Sequence, residues 1–263
     1  MIAFSPPATM INSLTARSSM SLAWTNAELA GSAQWIFKDF ATTLRPGNPV
    51  PRVNQKGLVE RDFTLKEGYF VFQSYWAEQP MVHIYGHSWP VRWGDRGEAK
   101  LLKVYSNCAV VELFVNGVSV GVKQRNSQDF PAAGLRWLVK FKEGENVVRA
   151  VARREKSEIV DELKVVYQTE NWGKPAKLVL EELPVATIQV TARDAKDVLC
   201  LDARNVVRFA LAGDGRLIDN LGTSITSRKV ELYNGRAMIS VNKKGKSVVS
   251  VSSDGLPTAF LDI

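Results

Sequence analysis

Apolar and polar residues alternate in short runs over most of the chain, from about residue 80 to its end. A period of two places successive side chains on opposite faces and predicts β-strands with one buried face. Such runs occupy residues 99–106, 109–115, 118–124, 134–141, 146–153 and 159–167. After residue 170 they recur at 176–182, 185–192, 205–211, 216–221, 228–233, 236–242, 246–252 and 258–263. We predict a mainly β protein with two immunoglobulin-like β-sandwiches, at residues 79–169 and 170–263.

The Asn116-Gly117 pair gives the clearest turn signal in this region. A two-residue hairpin turn needs positive φ at both central positions, which Asn and Gly tolerate best. Because alternating runs flank the pair, it predicts a tight hairpin. The boundary between the two sandwiches falls in the stretch 170–175, which contains Gly173 and Pro175.

Residues 31–78 follow a different pattern, which predicts a strand, a loop and a helix. An apolar run at 33–37 predicts a short buried strand, and a loop rich in proline and glycine follows it. Such a unit cannot bury its strand alone and is typical of the last repeat of a (β/α)8 barrel. We therefore expect residues 1–30 to form a poorly ordered leader, and the chain up to residue 60 to be poorly ordered or to pack irregularly.

The helix is predicted over residues 64–77. Spacings of three and four would bring Leu65, Tyr69, Phe72 and Trp76 to one face. Thr64 with the acid at position 67 fits a capping box at the helix start.

Composition limits the possible classes of protein. With 45% hydrophobic and 23% charged residues, the chain is a globular protein and not a disordered one or a coiled coil. No apolar run approaches the roughly 18 residues of a transmembrane helix, so no membrane partner is expected. The first residues lack the basic and apolar regions of a secretory signal, which predicts a cytoplasmic location.

The net charge is +7, from 34 Lys+Arg against 27 Asp+Glu. The densest clusters of lysine and arginine, at 153–156 and 243–246, lie at predicted turns, where charged side chains keep a β surface soluble. We therefore expect no nucleic-acid partner. Cys108 and Cys200 lie beside apolar strand residues and are expected to be buried free thiols.

Candidate chemistry lies mainly between the predicted strand and helix. Trp35 is either an apolar platform for a sugar ring or a core aromatic residue. Asn54 and Lys56 could bond hydroxyl groups or a carboxylate, or belong to a solvated loop. His83 and His87 have no third ligand nearby in the sequence, so we expect packing or hydrogen bonding from them and no metal site.

Long segments of the chain, in order, resemble glycoside hydrolase family 2, and most of all its multidomain β-galactosidase-type branch. The end of the catalytic barrel of that family is similar to the sequence at 35–40, 45–51, 53–62 and 66–76. The junction between the barrel and the following sandwich is similar to residues 83–94. The likeness extends from about Gly31 to Ile263.

The resemblance implies a retaining glycosidase that uses two glutamates about 5–5.5 Å apart, one as nucleophile and one as acid/base. In the family both come from barrel strands that precede the part matched here. Glu28 is the only acidic residue before Trp35 and lies too near it to come from the preceding strand. The expectation is therefore that no catalytic residue and no cofactor belongs to this chain and that it is inactive alone.

The resemblance also assigns three substrate-binding residues. Trp35 is similar to the tryptophan that lines the sugar subsite of the family. Asn54 and Lys56 match the asparagine-any-lysine pattern with which β-glucuronidases of the family hold a uronate carboxylate. From the sequence, a galactoside is favoured over a glucuronide as substrate of the parent enzyme.

Two alternatives to an inactive C-terminal part of an enzyme stay open. The chain could be a non-catalytic carbohydrate-binding or assembly module built on its two sandwiches. It could instead be one half of a two-chain enzyme, in which a second chain supplies the rest of the barrel. Parent enzymes of this family are in some cases exported, so the cytoplasmic expectation applies to this sequence only.

Overall fold

The computed structural model describes residue 28 and residues 33–126 and 134–263. By its internal contacts the chain divides into two compact units. One contains Phe37–Thr64 together with Glu170–Ile263, and the other contains Leu65–Thr169. Apart from Glu28, the leader expected at residues 1–30 lies outside the described residues.

Segment 37–64 begins with a small antiparallel ribbon of strands β1 (Phe40–Ala41) and β2 (Val53–Asn54), in which Phe40 pairs with Asn54. The strand predicted at 33–37 does not form. Trp35 is 73% exposed and Phe37 is 52% exposed, so this apolar run is not buried. A short apolar run fits several structures, and here its last residue bonds to another segment without forming a strand, since the Phe37 carbonyl accepts the N–H groups of Leu58 and Val59 at 2.8 and 3.0 Å.

Helix α1 (Glu67–Trp76) confirms the predicted helix but not its start or its buried face. Lys66, not Thr64, is the N-cap, and it makes no side-chain capping bond. The buried side chains include Val71 and Phe72, whereas Trp76 is 55% exposed. The helix therefore packs on a face rotated from the one that the aromatic spacing predicts.

Within the described residues, the first sandwich contains eight strands. Its strands are β3 (Val82–Ile84), β4 (Val91–Trp93), β5 (Ala99–Ser106), β6 (Val110–Val115), β7 (Val118–Gln124), β8 (Gly134–Lys140), β9 (Gly144–Arg154) and β10 (Ser157–Gln168). They form a five-stranded sheet of order β4-β10-β9-β6-β7 and a three-stranded sheet of order β3-β5-β8. All neighbours are antiparallel except β4 and β10. A tight turn joins β6 to β7, with φ of 52° at Asn116 and 81° at Gly117, as predicted.

The second sandwich contains the remaining eight strands. They are β11 (Lys177–Leu183), β12 (Thr187–Arg193), β13 (Val206–Gly213), β14 (Arg216–Ile218), β15 (Lys229–Glu231), β16 (Arg236–Asn242), β17 (Ser247–Ser253) and β18 (Leu256–Asp262). Two four-stranded sheets, of orders β11-β12-β16-β14 and β15-β13-β17-β18, enclose its core. The predicted mainly β class with two sandwiches is confirmed.

Each sandwich buries one alternate set of strand side chains. Leu102, Leu113 and Val165 are fully buried in the first core, and Ile188, Phe209 and Ile239 are fully buried in the second. Cys108 and Cys200 are buried free thiols, as expected, and burial raises the pKa of the Cys200 thiol to about 11. Within the described part of the chain, no helix has the length and hydropathy to span a bilayer.

Segment 37–64 packs on the second sandwich, contrary to the irregular packing expected for it. Val50 and Val53 are each 3% exposed and belong to the core of that sandwich. The buried carboxylate of Glu60 accepts two hydrogen bonds from Ser224, one from its backbone N–H and one from its hydroxyl, both at 2.7 Å. The second sandwich therefore supplies the burial that an isolated strand-loop-helix unit lacks.

We predict that Val53→Ala lowers the free energy of unfolding of the second sandwich by about 1–3 kcal/mol, because it leaves a cavity in a packed core. Denaturant unfolding of the full chain measures the change. Leu44→Ala in the same segment is the control, since Leu44 is 86% exposed. Equal effects of the two variants would contradict the packing described.

Candidate functional site

The turn at residues 54–57 follows β2 and is held by the buried carboxylate of Asp39. Asp39 Oδ1 accepts the backbone N–H of Gly57 at 2.8 Å, and the Asp39 N–H donates to the carbonyl of Val59 at 3.0 Å. A Cβ at position 57 would lie 2.4 Å from the Asp39 nitrogen. Because a side chain has no room there, the close approach of the two backbones requires glycine.

Asn54 and Lys56 are joined in this turn. Asn54 Oδ1 accepts the backbone N–H of Lys56 at 3.3 Å, so the group that Asn54 can offer to a ligand is its amide NH2. Lys56 is exposed, and its ammonium makes no ion pair within the described residues. The turn therefore offers a neutral and a charged N–H donor two residues apart, a combination that suits a carboxylate.

Trp35 lies outside this turn and is grouped with the other compact unit. Its peptide bond to Ile36 is cis, and its indole is largely exposed, which leaves the ring face accessible. The structure thus brings Asn54 and Lys56 together, while a shared site with Trp35 stays a prediction.

A cleft of about 670 Å³ lies beside β2, between segment 37–64 and the second sandwich. Its described lining contains one acidic residue, Asp219, whose Oδ2 lies 2.8 Å from Nε of Arg228. The basic residues of the lining are Arg52, Arg61, Arg208, Arg228 and Lys229. Sequence reasoning missed this cluster because its members come from two stretches, 52–61 and 208–229, that lie far apart in the chain, and the available signal was the net charge.

His83 and His87 form a hydrogen-bonded network in the other compact unit. His83 Nε2 lies 3.0 Å from Glu67 Oε2, and His87 Nε2 lies 2.9 Å from Asp161 Oδ2. One ligand atom from each histidine and from Asp161 lie within 4.8 Å of one another, a spacing that could hold a metal ion. However, Asp161 Oδ2 also accepts the Ile84 N–H at 2.6 Å, so hydrogen bonds alone account for the arrangement.

This network shifts two pKa values in opposite directions. The hydrogen bond to Asp161 raises the pKa of His87 above 6.5, against the opposing effect of burial, and the charge of Glu67 adds to the increase. Burial acts to raise the pKa of Asp161, but hydrogen bonds from His87 and the Ile84 N–H outweigh it and lower that pKa. Each partner therefore favours the charged form of the other.

Comparison with known proteins finds long matches. Residues 97–160 match a family model described as a domain of unknown function, DUF4982. The solved structure of a β-glucuronidase from Parabacteroides merdae is 53% identical, with a TM-score of 0.88, over 97% of this chain and 32% of that protein.

Two curated proteins extend the comparison. A putative β-glucuronidase of Formosa agariphila is 42% identical over 83% of this chain and 27% of its own length. The β-galactosidase BoGH2A of Bacteroides ovatus is 29% identical over 95% of this chain and 30% of its own length. The chain thus spans about a third or less of the length of each of these proteins.

The His87–Asp161 pair predicts a pH-dependent stability of the first sandwich. Because the pKa of His87 is raised in the folded state, its contribution is complete below about 6.5 and is lost as pH rises through the raised value. The lowered pKa of Asp161 gives a contribution that is present above about 3.9 and is lost as pH falls through the lowered value. We therefore expect maximal stability between about pH 4 and 6.5.

Denaturant unfolding at a series of pH values between 4 and 9 measures this dependence. His87→Gln should flatten the decrease above pH 6.5, because it removes the titrating group. Lys123→Gln, an exposed substitution on β7, serves as the control and should keep the decrease. An unchanged pH profile in His87→Gln would refute the assignment.

Proposed function

Since the chain belongs to glycoside hydrolase family 2, we propose that it is the part of a β-glucuronidase that recognises the carboxylate of the substrate through Asn54 and Lys56. The observation that carries this proposal is the hydrogen-bonded turn, in which Asn54 Oδ1 accepts the Lys56 N–H. The bond orients the Asn54 side chain within the turn, and Lys56, two residues further on, is exposed, so that an amide and an ammonium donor of one turn are available to a ligand.

The charge of the sugar favours a glucuronide over a galactoside as the substrate of this site. A glucuronide carries a carboxylate at the position where a galactoside carries a neutral hydroxymethyl group. Charge-assisted hydrogen bonds from an ammonium to a carboxylate are roughly twice as strong as neutral ones. A site that contains Lys56 and the Asn54 amide therefore gains more from the charged sugar.

The relatives support the same choice. The two named as β-glucuronidases are 53% and 42% identical to the chain, whereas the β-galactosidase is 29% identical. The galactoside favoured from the sequence is thus the less supported substrate. It remains the second candidate, because the match to the β-galactosidase covers 95% of the chain.

The chemical step needs two carboxylates about 5–5.5 Å apart. We propose that these come from barrel strands outside this chain, either from the same polypeptide or from a second one. In that arrangement Trp35, which is 73% exposed, would line the sugar subsite.

The test joins this chain to the upstream part of the P. merdae β-glucuronidase, in place of the third of that protein that it matches. We expect the chimera to hydrolyse 4-nitrophenyl β-D-glucuronide. Lys56→Ala and Asn54→Ala should each lower kcat/KM for the glucuronide about 10- to 100-fold, the loss of one hydrogen bond to a charged group. Turnover of the matching galactoside should fall less than threefold.

Two controls complete the experiment. Lys140→Ala removes an exposed lysine of β8 and should leave both rates unchanged. The 263-residue chain alone should hydrolyse neither substrate. Equal losses for glucuronide and galactoside in Lys56→Ala would argue against carboxylate recognition by this turn.

A further inference from the structure

We propose that the basic cleft of the second sandwich binds a segment of an anionic polysaccharide, a chain of sugars that carries carboxylate or sulfate groups. The segment would extend from the sugar recognised at Asn54 and Lys56. The inference rests on the proposed function for its substrate class, and it adds a second binding region for the rest of the polymer.

The charge of the cleft is unbalanced. Five basic side chains line the cleft against the single carboxylate of Asp219, and that carboxylate is paired with Arg228. Within the described residues, Arg52, Arg208 and Lys229 make no ion pair. Like charges held close together repel one another unless counter-ions or a ligand neutralise them. The cleft therefore favours a ligand with several negative charges.

The basic groups of the cleft are mostly of the kind that binds oxyanions. Four of the five are arginines, including Arg61, whose planar guanidinium donates two parallel hydrogen bonds to a carboxylate or a similar oxyanion. Gly222, with φ of 65°, allows the close approach of Arg61, since a Cβ at that position would lie 3.1 Å from Arg61 Nη1. A side chain at position 222 would therefore crowd both Val53, whose Cγ2 would lie 2.9 Å from its Cβ, and the Arg61 guanidinium.

The position and size of the cleft also fit such a ligand. Arg52 and Val53 line the cleft and directly precede Asn54, so the cleft and the 54–57 turn are consecutive along β2. Two residues of extended chain span only about 7 Å, which a few sugar units exceed. The volume of about 670 Å³ lies within the range of small-ligand sites, roughly 300–1,000 Å³.

The lining also distinguishes between polyanions. Single-stranded nucleic acids bind to grooves that combine positive charge with aromatic side chains, on which the bases stack. The described lining of this cleft contains no aromatic side chain. Charge alone, without a stacking surface, favours a saccharide polyanion over a nucleic acid and over a neutral glycan.

Calorimetric titration of the full 263-residue chain tests the proposal without any turnover, so its result is independent of the activity proposed above. The probes are a hexamer of galacturonic acid, a neutral galactose hexamer, an oligothymidylate of equal charge, and sodium sulfate. We expect binding of the uronate hexamer that weakens as salt rises, and at least tenfold weaker binding of the other three.

A pair of charge-matched double variants locates the site. Arg52→Gln/Arg208→Gln should weaken binding of the uronate hexamer at least tenfold. Lys244→Gln/Lys246→Gln removes the same charge from an exposed turn that precedes β17, whereas Arg208 pairs with Ser252 near the other end of that strand. This second variant should change the affinity for the uronate hexamer less than twofold. Thermal unfolding of both variants verifies that they fold.

The outcomes that would overturn the proposal are distinct. Equal weakening by the two double variants would mean attraction to the net charge and not to the cleft. Equal or tighter binding of the neutral hexamer or the oligothymidylate would reject the ligand class. Sulfate that binds as tightly as the hexamer would reduce the cleft to a site for a single anion, and absence of hexamer binding would reject the site.

Discussion

The burial of Val50 and Val53 in the core of the second sandwich is the interaction on which the rest of the site depends. Strands of two residues, such as β1 and β2, are too short to be stable by themselves. Each buried valine contributes roughly 1.5–3 kcal/mol relative to an exposed one. Together with the Glu60–Ser224 hydrogen bonds, this burial fixes segment 37–64, and with it both the 54–57 turn and one wall of the basic cleft.

Alternation and turn chemistry predicted most strands of the two sandwiches, because both act locally. They missed β3 and β4, which are three residues long and too short to show a period. The hairpin at Asn116-Gly117 and the strands around it lie within one or two residues of their predicted limits. The errors arose where tertiary context decides. The run at 33–37 forms no strand, and of the predicted face of α1 Phe72 is buried, beside Val71, whereas Trp76 is exposed, because neighbours distant in sequence determine what each face contacts.

The site was predictable in part. Asn54 and Lys56 could be identified because a short motif brings them together, and the structure adds the hydrogen bond that orients the Asn54 side chain. The cleft could not be identified, since Arg52 and Arg208 are joined only by the fold. The net charge of +7 gave no location in the sequence, but the fold brings five of the basic residues together in this cleft. That concentration suggests an anionic polymer where the total charge alone suggested nothing.

Amide hydrogen exchange tests the central claim most directly, namely that segment 37–64 is an integral part of the second sandwich. The reporters are the amides of Asp39 and Val59, which donate to the carbonyls of Val59 and Phe37, and that of Phe209 in the sandwich core. We predict that all three are protected and lose protection over the same range of denaturant, as one cooperative unit. Rapid exchange at Asp39 and Val59 while Phe209 stays protected would contradict the account.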